Sequence, residues 1–235
     1  MNTNELKLGY LNALLSALLT IFTFAIAMFT PPISGPLCQA NCIQYPYLDI
    51  ASRFPRDYIW MFPAIVVTLL YVILMASVYQ YAGENKKVFG IIGLSFSIIS
   101  AILIVVNYFI QISVIQPSLL KGETDGISIL TQYNPHGIFI ALEEIGYMIM
   151  CLSFLCIFPV FSWYEKYERA IRMIFMAGFP LALISLLTFT LIKGIEREYY
   201  FEIIVISISW LQLIITGFLL GKLYRRIYIK KSDKT

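Results

Sequence analysis

VNYFIQISVIQPSLLKGETDGISILTQYNPHGIFIALEEIGY, residues Val106 to Tyr147, decides how the chain is read. The stretch begins inside one strongly apolar run, crosses a polar segment, and enters a second apolar run that holds Glu143 and Glu144 side by side. About 20 apolar residues suffice to cross a bilayer core, and ionisable side chains at that depth are costly. Two membrane spans joined by a loop follow from this pattern, together with polar groups at membrane depth that need a reason.

Outward from that stretch the same pattern recurs. The 235 residues are 59% hydrophobic and 13% charged, with a mean hydropathy of +0.78, whereas a soluble domain carries about 25% charged residues. Apolar runs predict spans over 8–30, 58–82, 88–115, 137–161, 171–192 and 200–223. The loops between them are too short to fold as a soluble domain. The expected fold class is therefore all-α: a polytopic membrane helix bundle of six transmembrane helices in a single domain. The first run stops at Pro31-Pro32, and because it continues past a signal-peptidase-like Ala25-Ile26-Ala27 it is read as a retained span. Tyr58 and Trp60 at one end of span two, and Tyr79 and Tyr81 at the other, suit interfacial belts. The tight turn at 83–87 makes spans two and three antiparallel neighbours. Gly90, Gly93, Ser97 and Ser100 offer close helix packing, and Gly217 and Gly221 form a GxxxG seat for another helix, a candidate homo-oligomer contact. Pro180 predicts a kink in span five.

Orientation follows from Lys and Arg. Six spans place twelve of the 17 on the side of the two termini, including Lys222, Arg225, Arg226, Lys230, Lys231 and Lys234 of the tail, and five on the other. Both termini are thus expected on the cytoplasmic side of the cell membrane, with the tail against anionic lipid headgroups. This sorting accounts for the +3 net charge without nucleic acid as a partner.

The candidate site lies in the opening stretch. Asn107 and Gln111 share a face of span three at i, i+4. His136, Glu143 and Tyr147 fall within about 20° of one another around a helix, and Glu144 points about 100° away. Glu143 is about 9 Å and Asn107 about 12 Å from the outer ends of their predicted spans, so Asn107 is expected to donate to Glu143. Asn107, Gln111, Glu143 and Tyr147 are the leading ligand-binding or proton-relay candidates, with Tyr108 and Glu144 behind them. Against this stands a structural role, in which a protonated Glu143 serves as interhelical glue. Asn134-Pro135 suits the start of span four. His136 is the lone histidine and sits about 10.5 Å of helix from Glu143, so no metal site is expected. The absence of a Walker loop, dinucleotide fingerprint or GxSxG elbow leaves no cofactor to expect either. Cys38 and Cys42 form either a structural disulfide or free thiols, and their spacing fits redox catalysis poorly. Cys151 and Cys156 are expected to pack as small apolar groups.

The residues Asn107-Tyr-Phe-Ile-Gln111, Gly122-Glu-Thr-Asp-Gly126, Asn134-Pro-His136, Ala141-Leu-Glu143 and Gly146-Tyr147 resemble a block of about 40 residues found in uncharacterised multi-spanning membrane proteins of prokaryotes. The resemblance implies that Glu143 matches the block and Glu144 occupies a freer position. It implies no activity. Three function classes remain: a small-solute or ion-coupled transporter or binding protein with an outer-leaflet carboxylate, a lipid-active membrane enzyme using Glu143 as general base, and a structural or regulatory subunit. The lipid bilayer is a partner in all three, and a small solute, proton or cation in the first.

Overall fold

The computed structural model describes residues 1–30 and 33–232. Pro31-Pro32, read above as the stop of the first span, and Lys234 lie outside the described residues. Six helices are long and apolar enough to cross a membrane, as in a multi-pass membrane protein. They are α1 (Thr3–Met28), α2 (Met61–Tyr81), α3 (Lys87–Ile110), α6 (Ile138–Ile157), α7 (Lys166–Lys193) and α8 (Glu198–Ser232). Two short helices, α4 (Gln116–Leu120) and α5 (Ile127–Leu130), lie between α3 and α6.

The helices form a closed circuit in which α1 touches α2 and α8, α3 touches α2 and α6, and α7 touches α6 and α8. A contact between α6 and α8 crosses the circuit. Lys231 Nζ donates to the Met1 carbonyl at 3.1 Å, so both termini lie at one end of the bundle, here called proximal. The opposite end is distal. Lipid tails are as apolar as leucine, so the helices associate through close packing and polar contacts. Asn12 of α1 donates to Leu70 O of α2 at 3.0 Å, and Ser100 of α3 donates to Gly146 O of α6 at 2.8 Å. Tyr71 of α2 hydrogen-bonds Ser153 of α6. The small residues of α3 admit two neighbours: a Cβ at Gly93 would lie 2.9 Å from Ser153 O of α6, and one at Gly90 would lie 2.9 Å from Tyr79 Cδ2 of α2.

The seat at Gly217 and Gly221 is filled from within the chain. A Cβ at Gly217 would lie 2.7 Å from Ala13 O, and one at Gly221 would lie 2.9 Å from Leu14 Cδ2. α1 occupies this face, so these glycines serve a contact within the chain. Gly178 of α7 similarly makes room for Gln212 of α8, whose Nε2 donates to Ile174 O at 2.8 Å. α7 stays helical through Pro180.

Helix extents differ from expectation at two places. The third span does not stop at Ile115 but passes through a π turn at Gln111–Ile115 into α4. α8 spans 35 residues, about 52 Å at the helical rise against a bilayer core of about 30 Å. It is therefore longer than the apolar layer is thick, and its basic last turns continue as helix.

Candidate functional site

The distal ends of α1, α2, α3, α6 and α8 meet beneath the first loop, and polar side chains concentrate there. α6 starts at Ile138 with Gly137 as its N-cap and no side-chain cap. Asn134 is not that cap. It works inside the preceding turn, where its Oδ1 accepts from His136 N at 3.0 Å and its Nδ2 donates to Ser128 O at 2.7 Å. His136 consequently lies outside the helix, exposed, with Nδ1 3.2 Å from Glu198 Oε1. It does not share a face with Glu143.

Glu143 is 1% exposed, and its donor is not Asn107. Asn107 Nδ2 donates instead to Phe139 O at 2.9 Å, which corrects the expected pairing. Phe139 precedes Glu143 by one turn of α6, so the short Asn107 side chain meets the backbone there. The next residue along α3, Tyr108, is long enough to reach the carboxyl, and its hydroxyl donates to Glu143 Oε1. The lesser candidate thus takes the central place. Gln111 also faces away from the carboxyl: it donates to Leu130 O at 2.7 Å and accepts from Gln132 N at 3.0 Å. Asn107 and Gln111 therefore act as staples, one to α6 and one to the loop.

Tyr147 belongs to the carboxyl network. Its hydroxyl lies 2.9 Å from that of Tyr108 and accepts from Trp210 Nε1 at 3.1 Å. Each phenol has one hydrogen and the indole only donates. Because Tyr108 spends its hydrogen on Glu143, Tyr147 must donate to Tyr108. The whole chain of donors from Trp210 through Tyr147 and Tyr108 is thereby aimed at Glu143.

The other oxygen, Glu143 Oε2, is buried and receives no bond from any ordinary donor. The carboxyl of Glu202 lies beside that of Glu143. Two ionised carboxylates cannot bond to each other, so a hydrogen bond between this pair requires one shared proton. Glu202, 8% exposed, is absent from the sequence-predicted site. Its signal was a polar stripe at helical spacing, Glu202, Ser209, Gln212 and Thr216, all buried on one side of α8. Glu144 has a different environment from Glu143. It receives Arg197 Nη1 at 3.0 and 3.2 Å, a neutralised ion pair at the rim.

Glu143 and Glu202 sit on the wall of a cavity of about 320 Å³. Trp60 and Phe139 supply apolar wall, and Asp57, Tyr133 and Tyr199 add polar groups. Met28 and Ile203, at the distal ends of α1 and α8, line it and are well exposed. Asp57 is 1% exposed. Its Oδ2 accepts from Tyr133 at 3.1 Å, while its Oδ1 lacks a hydrogen-bond donor. Burial, with Tyr58 and Asp57 beside it, pushes the Tyr133 phenol up, which keeps it a neutral donor. Tyr199 donates to Gln132 O at 3.2 Å and takes the Ser34 hydroxyl at 2.9 Å, fastening the first loop over the cavity. That loop also holds the disulfide between Cys38 and Cys42. Cys151 is buried and Cys156 half-buried, both as free thiols. Among the described residues no group of three His, Cys, Asp or Glu side chains forms a metal-binding cluster.

Compared with models of known families, with curated proteins and with solved structures, the chain matches none.

Proposed function

We propose that the chain is a membrane binding or transport protein for a small solute, with the distal cavity as its binding site and the Glu143–Glu202 pair as the polar anchor. One observation carries this reading. A buried carboxyl oxygen, Glu143 Oε2, has no hydrogen-bond donor, and both its carboxyl and that of Glu202 form part of a cavity wall. A carboxylate kept only as glue between helices needs donors on both oxygens and no space beside it. The donor chain from Trp210 further supports a preorganised site, because it holds a negative charge on Glu143 without any arginine or lysine.

The Lys and Arg distribution supports termini on the cytoplasmic side and a cavity near the outer surface. A single cysteine at Asp125, in a background lacking the native four, should then react from outside whole cells with an impermeant thiol reagent, and one at Lys230 should not. Reversed labelling would turn the cavity to the inside.

Solute binding is tested by melting the purified protein with alkyl alcohols, alkylammonium ions and alkyl carboxylates of matched carbon number. At least one class should raise the melting temperature of the wild type. Ala27→Trp, which fills the cavity from α1, should abolish that rise while remaining folded. No response to any class, in protein whose unliganded melting is normal, would return the carboxyl pair to a structural role.

A further inference from the structure

The cavity differs from a generic apolar pocket in the sign of its charge. Its wall carries three carboxyl side chains, Asp57, Glu143 and Glu202, and among the described residues the one ion pair to any of them is a long one from Arg56. Arg56 comes nearest, with Nε 3.9 Å from Asp57 Oδ1 on a side chain 66% exposed. That distance is beyond a hydrogen bond. Of the other basic residues at this end, Arg197 is bound to Glu144 and Lys193 lies over the Tyr200 ring, and neither Arg53 nor Lys121 forms an ion pair with a wall carboxyl among the described residues. Two acceptor oxygens thus stand buried without an ordinary donor, Asp57 Oδ1 and Glu143 Oε2. A buried acceptor left in this state costs stability, more so when it is charged.

A positively charged ligand with hydrogen-bond donors corrects the imbalance. A bare divalent ion needs a full oxygen shell, and among the described residues no three-carboxyl cluster is close enough to provide one. An ammonium group instead brings its own three donors. The rest of the wall is apolar and aromatic, with Trp60, Phe139 and Ile206 exposed to the cavity, and an aromatic face attracts a cation while packing against carbon. Met28 and Ile203 place apolar surface at the cavity edge, at a level where an amphiphile concentrates.

Resting on the solute-binding reading above, we infer that the cavity takes an organic ammonium compound with an apolar body, its charge balanced by Asp57 and the Glu143–Glu202 pair. Such a group can belong to a free amine or to an amine-bearing lipid headgroup.

The test uses the purified full-length protein in maltoside detergent, with 2-phenylethylammonium, 2-phenylethanol and 3-phenylpropionate as probes. The ammonium probe should raise the melting temperature by about 3 °C or more at saturation, and the alcohol and carboxylate should not. Asp57→Asn and Glu202→Gln keep side-chain shape and should lose most of the rise. Where either variant fails to fold, Ala27→Trp and the contrast between probes on the wild type decide the matter. Phosphatidylethanolamine added to the micelles, against phosphatidylglycerol, separates the two sources: a rise with the first alone assigns the ammonium to a headgroup, and a rise with the soluble amine alone assigns it to a free solute. Equal rises with amine and alcohol, abolished by Ala27→Trp, would overturn the ammonium assignment and leave the solute cavity standing. No rise with either amine source would overturn it as well, whatever other solutes bind.

Discussion

The two halves of α8 solve the same packing problem in opposite ways. Toward the proximal end, Gly217 and Gly221 let α1 approach until backbone and side chain touch, and the seam is closed. Toward the distal end, Glu202 and Trp210 face α6 with polar groups, and the seam opens into a cavity. One helix thus carries a seam selected for closeness and a seam selected for polar geometry. The difference teaches where stability and function are separable: the first seam tolerates no added atom, and the second tolerates shape-conserving changes that alter chemistry.

The largest effect should come from the closed seam. Gly217→Leu drives a side chain into Ala13 O and Ala17, and overpacking of this kind costs about 3 kcal/mol. Melting in detergent should fall sharply or the protein should aggregate. A normal melt would show that α1 and α8 do not pack as described.

Tyr108→Phe comes next. It keeps the ring against Trp60, 5.0 Å away between centroids, and strips the donor from Glu143 Oε1, at a cost of about 1–3 kcal/mol. Asn107→Ala should cost less, because it releases only a second bond to a helix carbonyl. An Asn107 loss larger than the Tyr108 loss would mean that Asn107, not Tyr108, serves the carboxyl.

Arg197→Gln should follow, at about 1 kcal/mol after discounting for the guanidinium's partial exposure. It leaves Glu144 with a neutral partner at the rim and should leave ligand-dependent shifts intact. Loss of those shifts would move Glu144 from the rim into the site. The smallest effect belongs to Cys38→Ser with Cys42→Ser, because the bridge closes only a short loop and loop-closure stabilisation shrinks with loop length. Non-reducing mass spectrometry of the wild type should find the 38–42 peptide lighter by two hydrogens, and two freely alkylated thiols there would break the pairing.

Much of this was open to reading in the sequence, and the failures have physical causes. Apolar length alone gave six spans, and the stretch 106–147 pointed to Glu143 and Tyr147. The observed donor to Glu143 differs from the expected one because a span end at Ile115 sets the expected depth, whereas the helical path continues through a π turn to Leu120. Adjacent residues such as Asn107 and Tyr108 differ by about 100° in direction, so only side-chain length and local geometry decide which one reaches the carboxyl. Glu202 escaped because it sits near a span end, where a charge needs no special reason. Asp57 escaped because it reads as a loop residue beside Arg56. Neither carboxyl is near Glu143 in sequence, and helix-to-helix register across the bundle is not a local property of the chain.

The claim that most depends on the two seams differing is that Glu143 and Glu202 hold one proton between them. Infrared spectroscopy of the purified protein at neutral pH measures this directly, through the carbonyl stretch of a protonated carboxyl. The wild type should show such a band, slow to exchange in D2O, and Glu202→Gln should remove it while Glu144→Gln leaves it in place. No protonated-carboxyl band in the wild type, or one that survives Glu202→Gln unchanged, would contradict the shared proton.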